Sequence, residues 1–420
     1  LTSPDPASRG GSTAVTSDSS TPMPATAPRG IGPMVGAVFL MATSAIGPGF
    51  LTQTSVFTVR MGAAFAFAIL LSILVDIAIQ LNVWRILGVT QLRASELANK
   101  IVPGLGWFLA VLVAAGGLVF NIGNIAGTGL GLNALAGVNP KIGGAISAAI
   151  AIFVFLSRRA GVALDRIVGV LGAIMILLML YVAIVSNPPV GEALKQTVLP
   201  DDVDFKVITT LIGGTVGGYI VFAGVHRLID AGAAGPENIK SITNSAVTGI
   251  IVTGIMRVLL FLAVLGVVST GVALSKDNTA ADVFFNAAGE IGLRIFGLVL
   301  WAAGLSSVIG ASFTSVSFLT KQGYDEKKRG WITVGFILIS AVIYLFIGSA
   351  PQKLLIFAGA FNGLILPITF AIILYAAWRR KDLLGDYKHP TWMLIIGALV
   401  LVLTFVMGGI ALFGLKALLA

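Results

Sequence analysis

The chain has no cysteine and only two histidines, His226 and His389. Disulfides and thiolate metal centres are excluded, and so is a histidine-rich metal site. Charge is scarce too. Only 11% of the 420 residues are Asp, Glu, Lys or Arg, against about a quarter in soluble domains. With 57% hydrophobic residues and a mean hydropathy of +0.99, the composition is that of a polytopic membrane protein. The alternating ten-residue segments of an outer-membrane barrel are missing, because the apolar runs are long and continuous. No nucleophile, base and acid cluster together, and the glycine-rich stretches lie inside apolar spans rather than after strands, so an enzyme is not expected. The net charge of +9 would suggest nucleic acid in a soluble protein. Here most basic residues lie in short loops, where they set orientation.

What is present begins with residues 1–31, rich in Ser, Thr, Pro, Ala and Gly. Such a stretch cannot bury a core and reads as a disordered cytoplasmic tail. Each membrane span needs roughly 20 apolar residues. Eleven fit, at about 32–59, 62–85, 103–133, 141–157, 164–186, 205–229, 240–271, 287–320, 330–349, 353–378 and 391–418. With the N-terminus in the cytoplasm, Arg85, Arg93, Lys100, Arg158, Arg159, Arg166, Arg227, Lys240, Lys321, Lys327, Lys328, Arg329, Arg379, Arg380, Lys381 and Lys388 fall in cytoplasmic loops. Asp201, Asp202, Asp204, Asp277 and Asp282 fall outside. This obeys the positive-inside rule, with Arg60 and Lys141 as mild exceptions. A multi-pass protein of the plasma (inner) membrane follows. "LRASELANKIVPG" (92–104) reads as a short amphipathic helix at the interface, and "DEKKRG" (325–330) as an orientation signal.

Span 1 carries "ATSAIGPGF" and span 6 carries "LIGGTVGGY", each with small residues in mid-span. Gly47 and Gly217 are 170 residues apart, which is five spans. Five is odd, so the second unit is inverted relative to the first. Residues 32–186 then form one repeat, 205–378 an inverted copy, and 391–418 an additional eleventh span. Paired interruptions in inverted halves point to a transporter's binding site.

These motifs resemble the Nramp family of divalent-metal transporters, whose fold is the five-plus-five inverted repeat of the amino-acid transporter LeuT, with helices 1 and 6 broken. The family's first broken helix carries Asp-Pro-Gly-Asn; this chain has Gly47-Pro48-Gly49-Phe50. The sixth-helix motif, of the type Gly-Ala-Thr-Val-Met-Pro-His, is similar to Gly213-Gly214-Thr215-Val216-Gly217-Gly218-Tyr219. "FNIGNIAGTGLGL" (120–132), "GLSSVIGASF" (304–313) and "AGAFNGLILP" (358–367) are similar to the third, eighth and tenth helices. The ligands are what differ. The metal-ligating Asp falls on Gly47, the Asn on Phe50, the Met on Gly217, the His on Tyr219 and the tenth-helix Gln on Gly359. The acidic pair linked to proton passage falls on Asn121 and Asn124.

A transition metal wants nitrogen, sulfur or carboxylate ligands, and Mg²⁺ wants carboxylates. None remains at the break, so no metal is assigned. Each broken helix still brings an N-terminal end, with its free amides and partial positive charge, to the midplane. With no Asp to offset it, such a site favours an anion. The expected lining is Gly47, Pro48, Gly49, Phe50, Thr52, Gly217, Gly218 and Tyr219, with Thr54 as a further hydroxyl. No Lys or Arg stands at the break in the sequence, which argues for a monovalent anion over phosphate. Bicarbonate is small, planar, and both donor and acceptor. A branch of Nramp-related proteins that lacks the metal motif resembles this chain and implies bicarbonate uptake. Sodium is the candidate coupling ion, held between helices 1 and 8 by Thr43, Ser44, Ser306 and Ser307. The alternatives are a Mg²⁺ or other divalent-metal transporter, and a membrane sensor or scaffold without transport. The chain is expected to work as a monomer.

Four polar residues remain as candidates for a pathway: Asp76, Asn121, Asn124 and His226. Asp76 lies in mid-span, where a carboxylate is costly and commonly functional. Arg257 in span 7 and Arg294 in span 8 are its candidate partners. His226, beside Arg227, is expected near the cytoplasmic mouth, where it would guide an anion or respond to pH.

Overall fold

The computed structural model describes residues 32–347 and 350–413. The N-terminal tail expected at 1–31 lies outside them. The described residues are helical throughout, in fifteen α-helices joined by short turns. Helices α1 (Pro33–Ala45) and α2 (Pro48–Met61) are the two halves of span 1, and α3 (Phe65–Thr90) is span 2. The short α4 (Ala94–Ile101) is the expected amphipathic helix. Spans 3, 4 and 5 are α5 (Leu105–Ala136), α6 (Pro140–Leu156) and α7 (Arg158–Val185). A second short helix, α8 (Val190–Val198), leads to α9 (Phe205–Thr215) and α10 (Ile220–Asp230), the halves of span 6. The rest are α11 (Ile239–Ser269), α12 (Thr279–Leu319), α13 (Glu326–Ile347), α14 (Pro351–Arg379) and α15 (Thr391–Phe413).

Nine stretches among the described residues are long and apolar enough to cross a membrane, α2 and α3 counting together, and the apolar α6 is a shorter one. Both expected breaks are present. In span 1 the cause is Pro48, which lacks an N–H and forces the residue before it out of the helical region. The backbone at Gly47 is accordingly extended, and Pro48 starts α2. In span 6 the cause is Gly218, whose φ of +56° is the left-handed conformation that glycine adopts without strain. The eighth span differs from expectation at its start. A kink at Gly289 (φ +62°) joins a short helical segment from Thr279 to the main span, so α12 begins eight residues earlier than the apolar run suggests.

The core sits where α9 and α10 are enclosed by the other spans; the most apolar part of Phe205–Asp230 is buried throughout. Close packing around the first break depends on small residues. Gly127 of α5 and Gly304 of α12 both lie against the Pro48 ring, and a methyl group at Gly127 would overlap it. The eleventh span is fastened through Asn82 of α3. Its Nδ2 donates to the Met393 carbonyl at 3.2 Å, and its Oδ1 accepts from His389 Nε2 at 2.9 Å. Burial, and then the nearby Arg85, push His389 down to about 4. The folded state therefore disfavours the proton that the unfolded chain accepts near pH 6.5. This contribution is complete above pH 6.5 and is lost as pH falls from there towards 4. Thermal melting in detergent should show stability falling across that window, by at most about 1.4 kcal/mol per pH unit. His389→Gln should flatten that part of the profile; an identical slope in the variant would exclude His389 as its source.

Candidate substrate site at the two helix breaks

The helix N-termini at the breaks face a shared interior. Neither Gly47, which precedes α2, nor Tyr219, which precedes α10, caps its helix with a side chain. Helix starts of this kind carry partial positive charge, although Pro48 has no N–H and the Ile220 and Phe222 N–H groups already donate to the Gly217 and Tyr219 carbonyls, both at 3.1 Å. Around them lie buried side-chain groups without a hydrogen-bond partner: Ser44 Oγ, Gln53 Oε1, Thr54 Oγ1, Asn124 Nδ2 and Tyr219 Oη. The Tyr219 hydroxyl lies beside the Asn124 amide and the Ser44 hydroxyl without a well-formed bond to either. Its ring packs edge-on against Phe120, with centroids 5.6 Å apart. An unpaired buried polar group costs about 1–3 kcal/mol. A cluster of them in one place is the signature of a site built for a ligand.

Two side chains border the place where the metal transporters carry Asp. A Cβ on Gly47 would come within 2.8 Å of Ser307 Oγ and 3.6 Å of Asn124 Oδ1. The tenth-helix Gln, absent at Gly359, has a substitute that the sequence reading missed. Gln53 of α2 reaches across, donates Nε2 to the Leu355 carbonyl at 3.0 Å, and fills the space that side chains on Gly214 and Gly359 would occupy. The signal was available as the polar run Thr52-Gln53-Thr54-Ser55 inside an apolar span. Asn362 was likewise overlooked. Its Nδ2 donates to Gly116 O (3.0 Å) and Ala358 O (2.9 Å), and its Oδ1 sits against Gly218.

One expectation needs correcting: a basic residue does stand at the break. Arg257 of α11 is 2% exposed, and its guanidinium carbon lies 5.2 Å from the centre of the Phe50 ring. It lies outside every motif and 207 residues from Phe50 in the chain, so spacing could not bring it there. It is also the partner that Asp76 faces. The other candidate, Arg294, instead bonds Glu290 and the carbonyls of Ala134 and Leu135 near the surface.

The remaining candidates separate. Pro48, Gly49, Phe50 and Thr52 are buried along the start of α2, and Gly217, Gly218 and Tyr219 form the turn between α9 and α10. Asn124 is at the break, but Asn121 is not. Its Nδ2 donates to Ser312 Oγ and Ser340 Oγ, both at 3.0 Å, tying α5 to α12 and α13. Thr43 turns its hydroxyl to the Phe39 carbonyl of its own helix at 2.8 Å, and Ser307 donates to the Thr43 carbonyl at 3.2 Å. Those bonds bring spans 1 and 8 together and leave the lone pairs of both hydroxyls free. Ser306 is half-buried on the next position of α12. His226 is buried and bonded on both ring nitrogens, at the junction of α4, α10 and α12. Nε2 accepts from the Ala94 N–H at 3.1 Å, so Nδ1 carries the proton and donates to Ser317 Oγ at 3.0 Å.

Helical halves interrupted at the membrane midplane, around a cluster of unpaired polar groups, define a secondary transporter of the LeuT-like fold. The solved structures agree on the fold. The chain is similar to a manganese transporter from Eremococcus coleocola (TM-score 0.67, 17% identity, 95% of this chain and 90% of that one). It is also similar to MhsT in complex with L-phenylalanine (TM-score 0.65, 17% identity, 89% and 98%). Residues 38–414 match the family described as Nramp, natural resistance-associated macrophage protein-like, and the chain belongs to that family. Among relatives, the membrane protein YcsG of Bacillus subtilis is 53% identical over 376 residues, covering 89% of this chain and 93% of its own length.

Proposed function

We propose that this protein is a secondary active transporter of a small, planar, monovalent anion, working by alternating access around the breaks at Gly47–Phe50 and Val216–Tyr219. One observation carries the reading. Two helix N-termini without side-chain caps stand among unpaired amides and hydroxyls, with a buried arginine over Phe50 in the first turn of α2, and no carboxylate stands at Gly47, where the metal transporters carry one. Among the described residues no group of three or more His, Asp or Glu side chains could hold a metal ion. A divalent cation would meet the Arg257 guanidinium and two helix N-termini here, with Asp76 as the one nearby carboxylate already facing that arginine.

Bicarbonate fits such a site, being planar and able both to donate and to accept; small carboxylates share its geometry. Arginine favours that shape, because its fork matches two oxygens of one plane. Sodium coupling through Thr43, Ser44, Ser306 and Ser307 stands as a secondary reading; Thr43 and Ser307 donate their protons to carbonyls and keep oxygen lone pairs a cation could use. The loop charges support a cytoplasmic N-terminus in the plasma membrane.

Uptake into proteoliposomes tests the proposal. Labelled bicarbonate, formate and nitrate should be compared with Mn²⁺ and Mg²⁺. Metal flux without anion flux would overturn it. A charge variant adds a second check. Gly217 is a poor position for it, because a Cβ there would overlap the Gly213 carbonyl. Gly49 is better: its nearest neighbours would be Gln53 Nε2 at 3.5 Å and Phe120 Cε1 at 3.9 Å. A carboxylate in the first turn of a helix is also tolerated by the fold. Gly49→Asp is expected to lower anion uptake at least tenfold while Gly49→Ala retains it. Equal uptake in the two variants would place the site elsewhere.

A further inference from the structure

Asp76 of α3 and Arg257 of α11 are 1% and 2% exposed in the middle of their spans. Ions at that depth are costly unless paired, and they mark functional positions. This pair is incompletely satisfied. Arg257 donates Nη1 to Ser72 Oγ at 2.9 Å, but its Nε has no partner. Asp76 lies within electrostatic reach of Arg257 and beside the Thr215 hydroxyl, yet its Oδ1 has no partner. The Thr215 hydroxyl already donates to the Leu211 carbonyl at 2.7 Å. The pair also touches both breaks. Arg257 lies over Phe50 in the first turn of α2, and Asp76 adjoins Thr215, the last residue of α9.

Resting on the anion reading, we infer that Arg257 recognises the planar head of the anion and that Asp76 is its resting counter-ion, which takes up a proton when the anion replaces it. The transporter is then an anion–proton symporter. The charge count requires the proton. Empty, Asp76 and Arg257 sum to zero. When an anion takes Arg257, Asp76 is left as a second negative charge in low dielectric, and a proton restores neutrality. Loaded and empty forms cross with the same charge. The negative-inside potential, which opposes a lone anion by about 2.3 kcal/mol per 100 mV, drops out.

The other elements packed against α3 carry titratable groups elsewhere. Arg60 ends α2 and pairs with Asp204, while Glu96 and Lys100 lie on α4, and Glu192 and Lys195 on α8. Lys206 opens α9, Lys240 opens α11, and His226, Arg227 and Asp230 lie in the latter half of α10. Lys353 and Arg379 stand at the two ends of α14, with Tyr375 one turn inside, and α15 has no titratable group. Arg257 is the charge that acts on Asp76.

Proton coupling narrows the substrate class. Bicarbonate plus a proton is carbon dioxide and water, and moving them together accomplishes no more than carbon dioxide crossing the bilayer unaided. A monocarboxylate with further polar groups, whose neutral acid crosses slowly, gains from such a carrier. The unpaired groups of Gln53, Asn124 and Tyr219 are the ones that would bond its polar substituents.

The test uses proteoliposomes of the full chain, with labelled formate, glycolate, lactate and bicarbonate as probes. A pH gradient, acid outside, is imposed with the potential clamped by valinomycin and potassium. Wild type is expected to take up a carboxylate several-fold faster under a gradient of one pH unit, with an alkaline shift outside and no response to potential. Asp76→Asn should lose the gradient response, and Arg257→Gln should lose uptake at least tenfold. Should Arg257→Gln fail to fold with Asp76 left unpaired, the double variant Asp76→Asn/Arg257→Gln restores a neutral interior. It should melt near wild type and still not move anions. Anion flux in wild type that persists in the double variant, or a gradient response that survives Asp76→Asn, overturns this inference and leaves the anion reading standing. No flux of any probe anion overturns both.

Discussion

Gly218→Ala is expected to destabilise the protein by several kcal/mol and to abolish transport. Position 218 has a φ of +56°, where a side chain is strained by about 1–3 kcal/mol. The added methyl would also overlap Asn362 Oδ1. Asn362 would have to leave, and its bonds to the carbonyls of Gly116 and Ala358 would go with it. Both carbonyls lie inside helices and keep their backbone bonds, so the loss is that of two additional side-chain bonds, about 0.5–1.5 kcal/mol each. The sum is about 2–6 kcal/mol, a large fraction of the stability of an ordinary domain. Thermal melting of the purified variant measures it. Adding Asn362→Ala to Gly218→Ala removes the overlap but not the backbone strain, so the double variant should recover part of the loss, as coupled neighbours do. A Gly218→Ala protein that melts within a degree or two of wild type would show that the turn between α9 and α10 has room the coordinates deny it.

That turn also shows what the sequence could and could not reveal. Pro48 and Gly218 announce their breaks locally, because each acts on the backbone through its own covalent structure. The fold class was legible for the same reason: long apolar runs, two interruptions and an odd number of spans between them are one-dimensional facts. The composition of the site was less so. Gln53 and Asn362 enter it by filling space left by glycines on other helices, and a complementary vacancy has no signature at the residue that fills it. Arg257 was visible as a costly mid-span charge, but its place over Phe50 depends on the rotation of α11 about its axis. Asn121 and Asn124 look equivalent in sequence. Three residues of helix turn one towards Ser312 and Ser340 and the other towards Gly47 and Tyr219. The bonding of His226 was not legible because its partner, the Ala94 N–H, belongs to a short helix 132 positions away.

The second large effect is expected from Arg93→Met. Arg93 precedes α4 and is 1% exposed. It grips Asp230, the last residue of α10, with Nε at 3.0 Å and Nη2 at 2.7 and 2.8 Å. Its Nη1 also donates to the carbonyls of Ser317 (3.1 Å) and Thr320 (3.0 Å) at the end of α12. Arg329 of α13 approaches the same carboxylate at 3.6 Å, and Glu96 accepts from the N–H of Gln322 at 3.0 Å. One guanidinium therefore ties three elements across the end of the molecule that the loop charges place in the cytoplasm. Removing Arg93 leaves Asp230 with Arg329 alone and takes a donor from two carbonyls, a loss of about 1–3 kcal/mol, below that of a fully buried pair because Asp230 keeps a cation and some exposure. Part of that cost falls on the closed arrangement alone, since an opened end would expose Asp230 and the two carbonyls to water. The variant should therefore favour opening at this end. The chain's lack of cysteine makes this measurable without background: Ser44→Cys puts a single thiol on a buried position beside Tyr219. Maleimide should label that thiol about tenfold faster with Arg93→Met than without it, the factor given by a shift of about 1.4 kcal/mol in the opening equilibrium. Asp230→Asn, which keeps a hydrogen-bond acceptor for Arg93, should fall between the two. Equal labelling rates in all three proteins would mean that the Arg93 cluster holds the fold but not the gate.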